Sequence, residues 1–316
     1  MGKSDKNKVS SLRNESRILL AGNGISDAQK ISWKNILSFV QDKLVESKQI
    51  EAENKIEAFE NLSPTIFLES LCKRISDSKE IQKLVKEYIA DKSNFVHKLW
   101  NLYNVILTTN FDNNLVINKV NLLENESDPK EKELTYKDKF LYRRLDFTYD
   151  KHQKTIFFIH GYFKQPSTIC LNFEQYTKNL KRIEDFVIQD YSEKNFEKKK
   201  NRKSVSWLEY FFKDNTTIDI LGLSLCNDEI DLWWILNYRK TILNRLKNNQ
   251  INYYDLKDDC FADEKTKSVH SAKLKSLESF GINIVYVEKA SDYNSDFYSL
   301  CLKQIRENFK EKQEKK

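Results

Sequence analysis

Glycine is scarce in this chain, with only six in 316 residues, and four of the six stand beside short apolar runs. Gly22 and Gly24 follow Ile18-Leu19-Leu20-Ala21 in A-G-N-G-I-S. Gly161 follows Ile156-Phe157-Phe158-Ile159-His160, and Gly222 follows Ile218-Asp219-Ile220-Leu221 in L-G-L-S. A further run, Val105-Ile106-Leu107, ends in T-T-N-F-D without glycine. Short apolar runs that stop at glycine or small polar residues have the pattern of buried parallel strands. Such strands deliver their loops to one edge of a sheet, where open α/β sheets bind ligands.

The intervening segments carry helical periodicity, and the β–α alternation predicts a Rossmann-like doubly wound parallel sheet with helical insertions. Strands are expected near 17–21, 104–108, 155–160, 217–221, 251–254 and 283–287, with a short one at 167–171. Residues 1–15 are polar and are read as a flexible N-terminus. One domain is expected over 16–305. It carries a helical insert at about 28–100, in which Trp33, Ile36, Leu37 and Val40 keep helical spacing, and a charged, irregular insert at about 120–150. Asn227-Asp228 is expected to cap a long helix reaching Leu246, and residues 306–316 form a charged tail.

No apolar run approaches the ~20 residues that span a bilayer, and no signal peptide opens the sequence. The reading is a cytoplasmic protein with no membrane contact. The five cysteines are scattered without a C-x-x-C pair, so neither a structural zinc site nor a disulfide framework is expected. The net charge of +6 comes from lysines mixed with glutamates. Nucleic acid is not directly indicated, because a basic stripe is needed and not merely a positive total.

Four strand ends carry the candidate chemistry. In A-G-N-G-I-S, glycine permits close backbone approach to a pyrophosphate, and backbone amides there offer partial positive charge. The same residues also suit a tight strand-to-helix turn with no ligand. The dinucleotide fingerprint is incomplete, since Asp27 stands at its third glycine position. T-T-N-F-D brings Asn110 and Asp112 to a strand end, as crevice groups or as helix caps. His160 closes an apolar strand beside Gly161, as a core histidine or as a proton acceptor and ribose ligand. L-G-L-S adds Gly222 for close approach and the Ser224 hydroxyl. His270, in helical or linker context, is read as incidental.

Taken in order, G-N-G-I-S, T-N-F-D, F-I-H-G and L-G-L-S resemble the sirtuin family, and specifically its bacterial branch in antiphage defence proteins. S-W-K-N-I-L and I-N-I-V-Y-V-E add to that resemblance, which spans about residues 17–290. It implies NAD⁺ as substrate. Asn110 would hold the nicotinamide ribose or an attacking water, and His160 would contact that ribose and act as base. Asp112 would lie near the carboxamide. Ala21, Gly22, Asn23, Gly24 and Ser26 would line the pyrophosphate site, and Gly222 and Ser224 would contact the adenosine side.

Two features of deacylating sirtuins are missing from the sequence: the G-I-P-D-F-R segment, here D-A-Q-K-I-S-W, and the four-cysteine zinc ribbon. The expectation is therefore an NAD⁺ glycohydrolase that needs no metal, acting as a toxic effector in antiphage defence. Its control would come from a partner protein of the same operon or from assembly into a hetero- or homo-oligomer. A non-catalytic NAD⁺- or ADP-ribose-binding regulatory subunit is the alternative, with deacylase or ADP-ribosyltransferase activity behind it.

Overall fold

The computed structural model describes residues 16–25, 33–56, 63–75, 78–89, 96–111, 115, 139–149, 152–162, 164–191, 206–288, 290, 292–293 and 295–314. Among these, seven strands form one sheet in the order β3-β4-β2-β1-β5-β6-β7. They are β1 (Ser16–Ala21), β2 (Val105–Thr108), β3 (Arg144–Tyr149), β4 (His152–Phe158), β5 (Thr216–Leu221), β6 (Gln250–Asp255) and β7 (Asn283–Tyr286). All neighbours pair parallel except β3 with β4. The chain starts in the middle at β1, builds outward through β2 and β4, then returns to the other side of β1 with β5, β6 and β7. Apart from the antiparallel edge strand, this is the strand order of a dinucleotide-binding doubly wound sheet, with its switch point between β1 and β5.

The apolar runs are buried because both sheet faces are covered. On one face Ile18, Leu20, Ile218, Ile220 and Ile251 pack against helices α6 (Phe173–Tyr191), α7 (Ile230–Ile242) and α8 (Glu264–Ser279). On the other, Leu19, Ile106, Ile156 and Phe158 meet α4 (Val96–Trp100) and α9 (Ser295–Glu314). Alternate residues of one strand thus serve opposite layers, which explains why the strand reads as continuously hydrophobic. Full burial of each Ile or Leu is worth roughly 1.5–3 kcal/mol.

The helical insert packs a third core. Helix α1 (Trp33–Glu46) presents Ile36, Leu37, Val40 and Leu44 to α2 (Pro64–Arg74) and α3 (Ser78–Ile89). Ser63 caps α2, with proline at its first turn. Helix α8 starts on Asp263, whose carboxylate accepts from the Thr266 amide at 2.8 Å. It ends on Gly281 at φ +73°, with Ile282 N–H donating to Leu277 and Gly281 N–H to Glu278, a Schellman closure.

Three expectations are corrected. The 120–150 stretch is not irregular throughout: α5 (Lys139–Tyr142) and β3 lie in its second half, and 116–138 fall outside the described residues. Leu145 and Phe147 are buried on one face of β3, while Arg144 and Asp146 pair at 3.0 Å. The short strand at 167–171 is replaced at its start by a 3₁₀ turn, Pro166–Thr168, in which the Thr168 and Ile169 amides donate to Gln165 and Pro166 rather than to a strand. Asp228 does not cap α7, whose N-cap is Glu229 without a side-chain cap bond. Asp231, in the first turn, receives the Leu232 amide at 2.9 Å instead. The expected closing helix runs Ser295–Glu314 and includes most of the charged tail. No helix among the described residues is long and apolar enough to cross a membrane.

Candidate functional site

Three glycines bring the β1 and β5 loops together at the switch point. The Gly22 amide donates to Leu221 O at 2.9 Å, and the Gly24 amide to Gly222 O at 2.8 Å. A Cβ on Gly22 would lie 2.3 Å from Gly222 O, and one on Gly222 would lie 2.5 Å from the Ile25 nitrogen. Gly222 also adopts φ +64°, a left-handed conformation that glycine adopts freely. These glycines therefore serve the contact between two loops, and two of their amides are already committed to it.

A cavity of about 420 Å³ opens over this junction, at the carboxyl ends of the strands. That volume lies within the usual range for small-molecule sites. Asn23, Gly24, Asn110, His160, Gly222 and Ser224 all line it. Ala21 and Gly22 stand just behind: the Ala21 carbonyl accepts from Thr108 Oγ1 at 3.1 Å, and the Gly22 carbonyl from Asn110 Nδ2 at 3.2 Å. Asn110 is thus oriented by the first glycine loop. Ser26 and Asp112 lie outside the described residues.

His160 is held on both sides. Its Nε2 lies 3.0 Å from Asp231 Oδ2 and its Nδ1 3.3 Å from Tyr176 Oη. With Nε2–H donating to the carboxylate, Nδ1 accepts from the phenol when the ring is neutral and donates when it is charged. Burial is the largest influence and pulls the imidazole pKa down. The Asp231 charge and hydrogen bond, with Glu229 behind them, outweigh it and leave the value raised. Burial also pushes the Tyr176 phenol well above its ordinary value, which keeps its proton in place.

Beside this pair stands Glu229, only 9% exposed and also lining the cavity. Its Oε2 has no hydrogen-bond partner among the described residues. Burial pushes its pKa up to about 7, against the opposing pull of His160.

The far end of the cavity is built by β6, α8 and α9. Asp255 accepts hydrogen bonds from the Tyr293 hydroxyl and, at 3.3 Å, from Lys273 Nζ. Lys273 also donates to Tyr253 Oη at 3.0 Å. Behind Asp255, His270 is buried, with Nδ1 2.7 Å from Asp258 and Nε2 3.3 Å from Asp255. The remaining wall comes from the helical insert, through Ile36, Pro64 and Thr65. Ser63 Oγ donates to Asp228 Oδ1 at 2.5 Å and ties that wall to the β5 loop.

Sequence reasoning missed Glu229, Asp231, Tyr176, Asp255 and Lys273. The usable signal was the acidic pair flanking Ile230, beginning five residues beyond the serine of L-G-L-S, and the carboxylate ending I-N-Y-Y-D. Among the described residues, no group of three or more His, Cys, Asp or Glu is arranged to hold a metal ion. No protein-family model matches the chain, and no curated protein matches it.

Proposed function

We propose that the protein is an NAD⁺ glycohydrolase, which converts NAD⁺ and water to nicotinamide, ADP-ribose and a proton. The observation that carries this reading is the convergence of Asn110, His160, Gly24, Gly222 and Ser224 on one cavity at the switch point of a doubly wound sheet. A dinucleotide suits a cavity lined by His160, both glycine loops and Asp255. Cleavage of the nicotinamide–ribose bond develops positive charge on the sugar. Glu229 in the cavity wall, with Asp231 behind His160, favours that charge electrostatically. Asn110, fixed on the Gly22 carbonyl, orients the ribose or the water, which converts part of the barrier into prior positioning.

Together with the ordered strand-end motifs, this supports a cytoplasmic NAD⁺-depleting effector of the antiphage sirtuin-like type. It would be restrained by a partner protein or by assembly until needed. The test is chromatographic detection of nicotinamide and ADP-ribose, for wild type and His160→Ala, alone and with the products of adjacent genes. Release by wild type and none by the variant is expected; equal release by both would remove His160 from the chemistry.

A second reading, an NAD⁺ or ADP-ribose sensor without turnover, is favoured by one observation. Both ring nitrogens of His160 already have protein partners. Saturable binding of intact NAD⁺, unconsumed in every mixture, would select it.

A further inference from the structure

We propose that Glu229, rather than His160, takes the proton from the attacking water. The inference rests on the glycohydrolase reading and adds to it the residue that serves as base. The geometry has two halves. His160 spends Nε2 on Asp231 and Nδ1 on Tyr176, so neither ring nitrogen is free for a substrate atom without breaking a buried contact. Glu229, on the same cavity wall, keeps a carboxylate oxygen that no described residue satisfies. A buried polar atom without a partner is uncommon and costly in a folded protein, and one at a cavity fits a ligand that completes it.

The backbone explains how Glu229 comes to stand there. It is the N-cap residue of α7, at φ −84° and ψ 51°, and its side chain does not turn back onto the helix amides. The Asp231 carboxylate accepts one of those amides instead. The carboxylate of Glu229 is thereby released toward the cavity residues. The charged and titratable groups that face it are His160 from the end of β4, Asp231 from its own helix, Asp228 and Cys226 from the β5 loop, Tyr176 from α6 and Tyr253 from β6. Burial with those carboxylates around it holds its proton affinity close to neutrality, where a general base works best.

The step balances without redox chemistry. The C1′–N bond breaks and its electron pair leaves with nicotinamide, which departs neutral. A water oxygen bonds C1′ and yields one proton to the Glu229 carboxylate, which later returns it to solvent. Until then the carboxylate also stabilises positive charge on the sugar. His160, clamped by Asp231 and Tyr176, then forms part of the cavity wall rather than the base.

The experiment is NAD⁺ turnover by the full chain across pH, for wild type and Glu229→Gln, with ADP-ribose binding measured by calorimetry. The Gln variant is expected to lose on the order of 100-fold or more in kcat. Its ADP-ribose affinity should stay within about threefold of wild type, since a general base acts in the transition state rather than in binding. Wild-type kcat should fall about tenfold per pH unit on the acid side, and the residual rate of the variant should lack that limb. Turnover by the Gln variant within about threefold of wild type, or an acid limb that persists in it, would overturn the role of Glu229 while leaving the glycohydrolase intact. Absence of nicotinamide release by wild type under every condition would overturn the glycohydrolase reading and the base with it. Should the variant not fold, a wild-type profile without an acid limb overturns the proposal on its own.

Discussion

Asp231 holds His160 through a 3.0 Å contact between two side chains that water scarcely reaches, at 0% and 2% exposure. The pair decides the charge of the imidazole, because burial alone would lower its pKa and Asp231 reverses the sign. Replacing Asp231 with Asn removes the charge and keeps the shape. The His160 pKa is then expected to drop below 6.5, read from the imidazole resonances in a pH titration by NMR. In wild type the raised folded-state value means that His160 adds stability that is full below its unfolded pKa. That stability is lost as pH rises through the folded value. The Asn variant should lose this dependence, and an unchanged titration would disprove the pairing.

Glu229 gives a second pH signature, with its own sign. Its folded pKa of about 7 lies above the ordinary 4.5. Its contribution is therefore fully present below the unfolded value and is lost as pH rises through the folded one. The difference corresponds to on the order of 3 kcal/mol at alkaline pH. Glu229→Gln is expected to raise the melting temperature more at about pH 8 than at about pH 5. Equal shifts at both would show that the carboxyl is not buried as a charge.

The glycine junction separates two superficially similar substitutions. A methyl on Gly22 meets backbone, Gly222 O at 2.3 Å and Leu223 Cα at 2.5 Å, which cannot swing aside. A methyl on Gly24 first meets the Tyr298 hydroxyl at 2.3 Å, the tip of a side chain. Gly22→Ala should therefore cost about 2–3 kcal/mol and Gly24→Ala about 1 kcal/mol, in urea unfolding. The reverse ranking would mean that the loops are not packed backbone to backbone.

At the centre of the sheet, Asp219 accepts from Arg17 at 2.5 Å, Tyr103 at 2.9 Å and Asn252 at 2.8 Å. Asp219→Leu strands a partly buried guanidinium and the buried Tyr103 hydroxyl, and is expected to cost about 3 kcal/mol. Adding Arg17→Met should recover part of that loss, since the uncompensated charge goes with it. Additive losses in the double variant would show that the two residues are not coupled.

Most of the sheet was legible because β1, β2, β4 and β5 are covered on both faces, which turns a strand into a plain apolar run. β3 escaped notice for the opposite reason. As an edge strand it alternates Arg144, Leu145, Asp146 and Phe147, and that short period is submerged in a charged neighbourhood. At the site, the glycines, Asn110 and His160 were visible as local motifs. Asp231 was not, because an acidic residue in a first helical turn looks like dipole compensation; its contact with a residue 71 positions away is set by the fold. Asp255, Lys273 and Tyr293 meet only after β6, α8 and α9 are packed, so no single window of sequence contains them.

The doubly wound sheet needs no helix between β1 and β2 of the kind that α1, α2 and α3 supply, yet their residues Ile36, Pro64 and Thr65 close the cavity. The seam between insert and sheet includes the side-chain bond from Ser63 to Asp228, next to Glu229 in the chain, and another from Asn172 to Cys72. Any movement of the insert would therefore be linked to occupancy of the cavity. A ligand that touches both sides clamps the insert down, and by reciprocity anything that grips the outer surface of the insert changes the affinity inside by the same factor. Remote control of such a site requires no second domain in the chain, only a hand on the wall.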